Sequence, residues 1–263
     1  MRTIFLIAAT AACLVPASSA LAGTTALVDR LAIDRDGKPY FADSFTTSGP
    51  PLNAPSLADG TPVEYQAGGK LGHGAEGGGK LRLNADEGAY NPTPDGQGRR
   101  TVFVRLLTNG DNAKDTAGLK RAVAFEARAL FDFVAPEKPI DGYGLRLTNL
   151  GAPDETPQIV NLFLFRDQAG RLVLRLLEQN FQAHVQNIVV DAPFAAQPGQ
   201  QVELRLTHPA AGSPDIVASY QLFSGGQPAG EPVEVGTSSI LFEKRNWARP
   251  ELFIFEKADK PGG

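Results

Sequence analysis

Apolar and polar residues alternate along most of this chain in stretches of strand length, cut by Gly, Pro and Asn turns. The clearest stretch is 123–133. Val123, Phe125, Ala127, Ala129, Phe131 and Phe133 fall on one side, and Ala124, Glu126, Arg128, Leu130 and Asp132 on the other. A period of 2 held this long marks a strand with one buried face. Short strands are also predicted at 40–45, 63–66 and 80–83. Beyond Thr101 they follow closely, at 101–107, 121–134, 143–148, 158–166, 171–178, 181–190, 201–208, 215–223, 238–242 and 250–257. Gln168-Ala169-Gly170 and Gln197-Pro198-Gly199 supply turn chemistry between them. No stretch sustains a 3.6-residue period, so helix should be scarce. About a dozen strands in one unit exceed an immunoglobulin domain and predict an all-β, two-sheet antiparallel jelly-roll sandwich.

The N-terminus changes where that sandwich must fold. Arg2 precedes an apolar run from Thr3 to Pro16, and Ser18-Ser19-Ala20-Leu21-Ala22 offers a small-residue cleavage site before Gly23. This is the layout of a secretory signal peptide over residues 1–22, with cleavage expected between Ala22 and Gly23 and a secreted or periplasmic product. Lipidation at Cys13 is the rival reading. The residues before it, Thr10-Ala11-Ala12, lack the Leu that opens a lipobox. Cys13 is the chain's one cysteine, so the mature chain of 263 less 22, or 241, residues has no disulfide. A chain of that length buries enough surface to need none. The division expected is a lead-in at 23–37, whose apolar patch reads as a strand or one helical turn, a single β-sandwich at 38–258 and a disordered tail at 259–263. Loss of Arg2 leaves 24 basic against 29 acidic residues, a balance poorly suited to nucleic acid or anionic membranes. No later apolar segment is long enough to span a membrane.

Two sets of residues resemble a known superfamily. Tyr40-Phe41-Ala42-Asp43-Ser44-Phe45 looks like the opening strand of concanavalin A-like lectin/glucanase domains. Val202-Glu203-Leu204-Arg205-Leu206, followed by Ile216-Val217-Ala218-Ser219-Tyr220, resembles a strand pair of that superfamily. The resemblance implies the jelly-roll fold. It leaves function open, because that fold hosts lectins, hydrolases, lyases and adhesion modules.

Candidate chemistry narrows the choice by exclusion. Gly72-His73-Gly74-Ala75-Glu76-Gly77 spells a nucleotide-loop pattern, but Leu81-Arg82-Leu83 behind it is a strand rather than the helix that binds phosphate. The superfamily's glucanases carry E-x-D-x-x-E on one strand, and no E-x-D occurs here. Serine hydrolase and zincin signatures are also missing. Gln182, His184 and Gln186 share one face of a strand. With Arg and Tyr on a concave sheet they would resemble β-jelly-roll polysaccharide lyases, which makes His184 the candidate catalytic residue. No cofactor is required. Ca²⁺ is the one that loop oxygens admit, with Asp34, Asp36, Asp111 and Asp115 as candidate ligands.

Alternation also predicts a ligand face. It sends Phe125, Phe131, Leu145, Leu147, Leu172, Leu174, Leu204 and Leu206 inward. Arg128, Arg146, Arg175 and Arg205 then turn outward, with Glu126 and Glu203. If their strands share a sheet, the arginines form a row suited to carboxylates or sulfates. If they do not, they are a solvated face paired with acids. Trp247, in the polar stretch Lys244-Arg245-Asn246-Trp247-Ala248-Arg249, is either a core anchor or a sugar-stacking platform. Three readings follow. The first is an exported carbohydrate-binding or surface-recognition module whose ligand is an acidic glycan. The second is a polysaccharide lyase, and the third an adhesion domain without a small ligand.

Overall fold

The computed structural model describes residues 24–46, 54–68, 75–76, 79–91, 98–108, 119–149, 158–180 and 185–258. The chain opens with β1 (Thr25–Arg35), β2 (Lys38–Asp43), β3 (Val63–Gly68), β4 (Ala75–Glu76), β5 (Lys80–Asn84) and β6 (Ala89–Asn91). It continues through β7 (Gly98–Thr108), β8 (Phe125–Asp132), β9 (Gly142–Thr148), β10 (Gln158–Arg166), β11 (Leu172–Asn180) and β12 (Val185–Pro193). The last strands are β13 (Gln200–His208), β14 (Ile216–Ser224), β15 (Gln227–Pro228), β16 (Val233–Ser238) and β17 (Arg249–Ala258). A single 3-10 turn, Ala85–Glu87, is the only helical element among the described residues.

These strands form two antiparallel sheets. The nine-stranded sheet runs β15-β14-β13-β8-β1-β5-β4, with β16 on β14 and β2 on β1. The eight-stranded sheet runs β12-β11-β10-β9-β17-β7-β3, with β6 on β7. The chain crosses between sheets at β7 to β8 and again at β8 to β9, so β8 and β9 lie in different sheets. This is the two-sheet jelly-roll arrangement that the alternating pattern predicts.

The core lies between the sheets because alternation gives each strand one apolar face. From the nine-stranded sheet come Val28, Ile33, Ala127, Phe131, Leu204 and Leu206, and from the other Tyr143, Leu145, Leu162, Leu174, Leu252 and Ile254. Phe131 and Tyr143 meet across the gap with ring centroids 5.1 Å apart. The Tyr143 hydroxyl accepts from the Val134 N–H at 3.3 Å, and burial pushes its phenol above the ordinary range. Buried His208 closes one end, seated between Phe125 and Phe242 with its ring nitrogens 2.6 Å from the Val123 carbonyl and 2.9 Å from that of Ser213.

Three expectations need correction. Residues 23–37 are not a lead-in outside the sandwich. β1 occupies the middle of the nine-stranded sheet, paired with β8 on one side and β5 on the other, so the domain begins by Thr25 rather than at residue 38. Its alternation is hidden because the register shifts between Val28 and Arg30, which moves the inward set from Ala26 and Val28 to Leu31 and Ile33. The strand expected at 238–242 is displaced to β16, and Leu241 and Phe242 follow it as buried loop residues plugging the core. The strand expected at 121–134 is shorter, covering Phe125–Asp132. The signal segment and the tail at 259–263 lie outside the described residues.

Candidate functional site

The arginines predicted to form one row are divided between the sheets. Arg128 on β8 and Arg205 on β13 stand opposite each other in the nine-stranded sheet. Arg146 on β9 and Arg175 on β11 belong to the eight-stranded sheet, whose outer face looks the other way. A row through all four therefore does not exist. Each arginine is also paired with an acid, across strands for Arg128, Arg146 and Arg175 and along β13 for Arg205. Arg128 reaches Asp34 at 2.5 Å and Glu126 at 3.2 Å, and Arg205 meets Glu203 at 2.7 Å and Gln221. Arg146 meets Glu251 at 2.5 Å, and Arg175 meets Asp191 at 2.6 Å.

The two outer faces differ in charge. Along β1, β5, β8 and β13, five cations (Arg30, Lys80, Arg82, Arg128, Arg205) face five carboxylates (Asp29, Asp34, Glu126, Asp132, Glu203). Lys80 bridges Asp29 at 2.9 Å and Asp132 at 2.6 Å, and Arg30 reaches the buried Glu203 at 2.8 Å. Such matched pairs leave the outer side of these four strands neutral.

The outer face of the eight-stranded sheet is not balanced. Register places Gln66 on β3, Arg105 on β7, Glu251 on β17, Arg146 on β9 and Asn161 on β10 side by side. Four interstrand steps make this row about 19 Å long, running across the strands. Glu251 is its hub, with 0% of its side chain exposed. Arg146 donates from Nε and Nη2 to Glu251 Oε2 at 2.8 and 2.5 Å. Arg105 Nε lies 3.0 Å and Arg249 Nε 3.3 Å from Oε1. Burial alone would push the Glu251 carboxyl up, but Arg146, Arg105 and Arg249 together hold it below the usual carboxylate range. Burial pulls the Arg249 guanidinium down to about 10 against the attraction of Glu251. One carboxylate among three guanidiniums leaves the cluster with about two uncompensated positive charges. Arg105 and Arg146 each keep 13% of the side chain exposed, against 2% for Arg249.

Beside this row lies an aromatic tier. Phe163, Phe165, Phe253 and Phe255 point away from the main core into a second cluster, each only 4–5% exposed. Two features let apolar rings survive on an outer face. Gly142 and Gly144 of β9 put no side chain there, and a Cβ on Gly144 would stand 2.6 Å from Phe163 Cβ. Guanidinium planes also roof the rings: Arg105 over Phe103 at 4.2 Å, Arg146 over Phe253 at 5.3 Å, Arg175 over Phe165 at 4.4 Å and Arg99 over Phe255 at 5.5 Å. Counting Lys257, this face carries six cations (Arg99, Arg105, Arg146, Arg175, Arg249, Lys257) against Glu64, Asp191 and Glu251. The excess arises in a chain that is net acidic.

Among the other predicted site residues, Gln186 is exposed and stands beside Gln179 on this same face. Gln182 and the candidate catalytic His184 lie outside the described residues. Trp247 is half-buried at the sandwich end, with the Arg245 guanidinium 5.3 Å from its ring centroid. Of the candidate Ca²⁺ ligands, Asp34 is taken by Arg128, and Asp36 accepts from the Ala124 N–H at 3.2 Å in a turn. Asp111 and Asp115 lie outside the described residues, among which no three His, Cys, Asp or Glu side chains gather as a metal site. Sequence reasoning missed Arg105, Arg249, Glu251 and the phenylalanine tier. The available signal was a glutamate inside the apolar run Pro250-Glu251-Leu252-Phe253-Ile254-Phe255.

Neither a family model nor a curated protein matches this sequence. Among solved structures, a mutant of the alginate lyase Aly36B in complex with alginate trisaccharide is similar with a TM-score of 0.37 and 8% identity. The match covers 75% of this chain and 79% of that one. A similarity of this size assigns neither a ligand nor a reaction.

Proposed function

We propose that this chain is an exported module that binds acidic polysaccharide across the outer face of the eight-stranded sheet. The observation that supports this most is the cross-strand row Gln66–Arg105–Glu251–Arg146–Asn161, with its surplus of buried guanidinium charge. A guanidinium held by a fixed carboxylate presents its remaining N–H groups in a set plane, which suits a carboxylate or sulfate. Leaving two positive charges partly desolvated has a cost that an anionic ligand offsets. The row crosses five strands, so repeated anionic groups on one chain can be met in turn. The phenylalanine tier beneath Arg146, Arg175 and Arg99 holds those guanidiniums over this face through cation–π contact.

The test is a calorimetric titration of the protein against a polyuronate, a sulfated glycan and a neutral glucan. Binding is expected for the two anionic chains and not for the neutral one. It should weaken steeply as salt approaches ~1 M, where the screening length is only about 3 Å. Replacing Arg146 by Lys and Arg175 by Ala together should weaken anionic binding by about tenfold, the loss of one bidentate and one charged contact. Equal affinity for neutral and anionic chains, or an unchanged double variant, would refute the reading. Release of unsaturated uronate ends in the same samples would move the protein from binder to lyase.

A further inference from the structure

Two segments distant in sequence meet beside the start of β17 and assemble a compact basic surface. The Ala248 N–H donates to the Leu119 carbonyl, and the Arg121 N–H to the Asn246 carbonyl, both at 2.8 Å. Lys120 and Trp247 thereby pair as an isolated antiparallel bridge. Leu119 and Ala248 are fully buried, which anchors the bridge to the core and fixes what projects from it. Lys120 and Lys244 extend into solvent. Arg121 is held by the Gly212 carbonyl, and Arg245 by the Asn149 carbonyl and the Trp247 ring. Within residues 119–121 and 243–247, Glu243 is the one carboxylate beside four cations, and it accepts from Gln158.

We propose that this surface, centred on Trp247, is a second anion-binding site that grips a further part of the same acidic polysaccharide. The proposal rests on the reading of the sheet face as a polysaccharide site. Three observations carry it. Charge complementarity is the first: the Arg245 guanidinium stands 5.3 Å from the half-exposed indole, Lys120 is its bridge partner, and exposed Lys244 adjoins Arg245. Continuity is the second. Trp247 precedes Arg249 by two residues, and Arg245 is tied to Asn149, the neighbour of Thr148, which pairs with Arg249. Trp247 therefore stands about 13 Å along the strand direction from Glu251, within reach of one extended polymer. The third is the character of the surface. Among the described residues, the large exposed hydrophobics Val134, Val185, Ile188 and Val233 all lie outside 119–121 and 243–247, so these two segments expose no aliphatic side chain beside the indole. A planar indole flanked by ammonium and guanidinium groups instead matches a charged sugar, ring face on ring face with the anion at the side.

Trp247 is the only tryptophan in the chain, so its emission reports on this surface alone. The protein is titrated with a polyuronate, a short oligomer of it, a neutral glucan and anionic phospholipid vesicles, with emission and calorimetric Kd recorded together. The polymer should change Trp247 emission, whereas the neutral glucan and the vesicles should not. The double variant Lys120→Ala with Lys244→Ala should keep its thermal midpoint and raise the polymer Kd about five- to tenfold, as expected for two exposed ionic contacts. The short oligomer's Kd should stay the same in that variant, because it fills only the sheet face. Polymer binding with silent emission and an unchanged Kd in the variant would overturn this second surface and leave the sheet face standing. An equal response to vesicles would overturn it in favour of a membrane. Absence of polymer binding by the unaltered protein would overturn both readings.

Discussion

Replacing Glu251 by Gln removes the one carboxylate that three guanidiniums share while keeping the shape of the side chain. The variant leaves no cavity, so its cost measures charge alone. Arg146, Arg105 and Arg249 would remain 13%, 13% and 2% exposed, facing one another without the group that holds them together. Breaking a buried ion pair from one side costs about 3–5 kcal/mol. For a domain of this size that lowers the thermal midpoint by roughly 6–20 °C. The pH dependence has a definite sign. The Glu251 carboxyl is held below its ordinary range in the folded protein, so its stabilisation is complete above the unfolded value and is lost as pH falls through the folded one. Urea midpoints of the two proteins should therefore stay apart at neutral pH and converge in strong acid. A loss below about 1 kcal/mol, the size of an exposed pair, would refute the buried-hub account. So would a gap that fails to close once the carboxyl is protonated.

Two further outcomes follow from the packing and the carboxylates. Gly144→Ala would place its Cβ 2.3 Å from the Leu162 carbonyl oxygen and 2.6 Å from Phe163 Cβ, so the backbones of β9 and β10 must part. Urea unfolding should show a loss of about 1–3 kcal/mol, as for overpacking elsewhere, and an unchanged midpoint would contradict the close approach. Glu256 behaves opposite to Glu251. Burial, then its hydrogen bond to Asp86 and the charges of Asp86 and Asp141, push its carboxyl up, so the folded state pays as pH rises through that raised value. Glu256→Gln mimics the protonated form and should match or exceed the native midpoint at neutral pH, with the difference vanishing below pH ~4, and a variant less stable at pH 7 would reverse the sign.

The sheets were legible because most strands bury one face. In β8 the alternation from Phe125 to Asp132 is the burial pattern itself, residue by residue. The site was far less legible, for two physical reasons. Which strands neighbour one another depends on long-range pairing, so Arg128 and Arg146 look equivalent in sequence while standing on opposite sides of the sandwich. Central strands of the eight-stranded sheet are also buried on both faces. β10 is buried at every position but the last, so period 2 carries no information about which way Phe163 points. β1 failed for a third reason, because one register shift inverts the phase of every residue behind it.

The first and last strands described, β1 and β17, are both interior strands, lying between β8 and β5 and between β9 and β7. Each sheet is thus completed by pairing residues far apart along the chain, and Glu251 meets Arg105 and Arg146 only in this way. Topologies of this kind close slowly, because the entropy of long loops is spent before the contacts repay it. Until β17 is in place, β9 and β7 present bare edges to each other, and the hub of the charged row does not exist. The cationic face is therefore incomplete until β17 docks between β9 and β7. A chain whose β17 has not yet docked has Arg105 and Arg146, but neither the carboxylate that orients them nor the strand that holds them in one row.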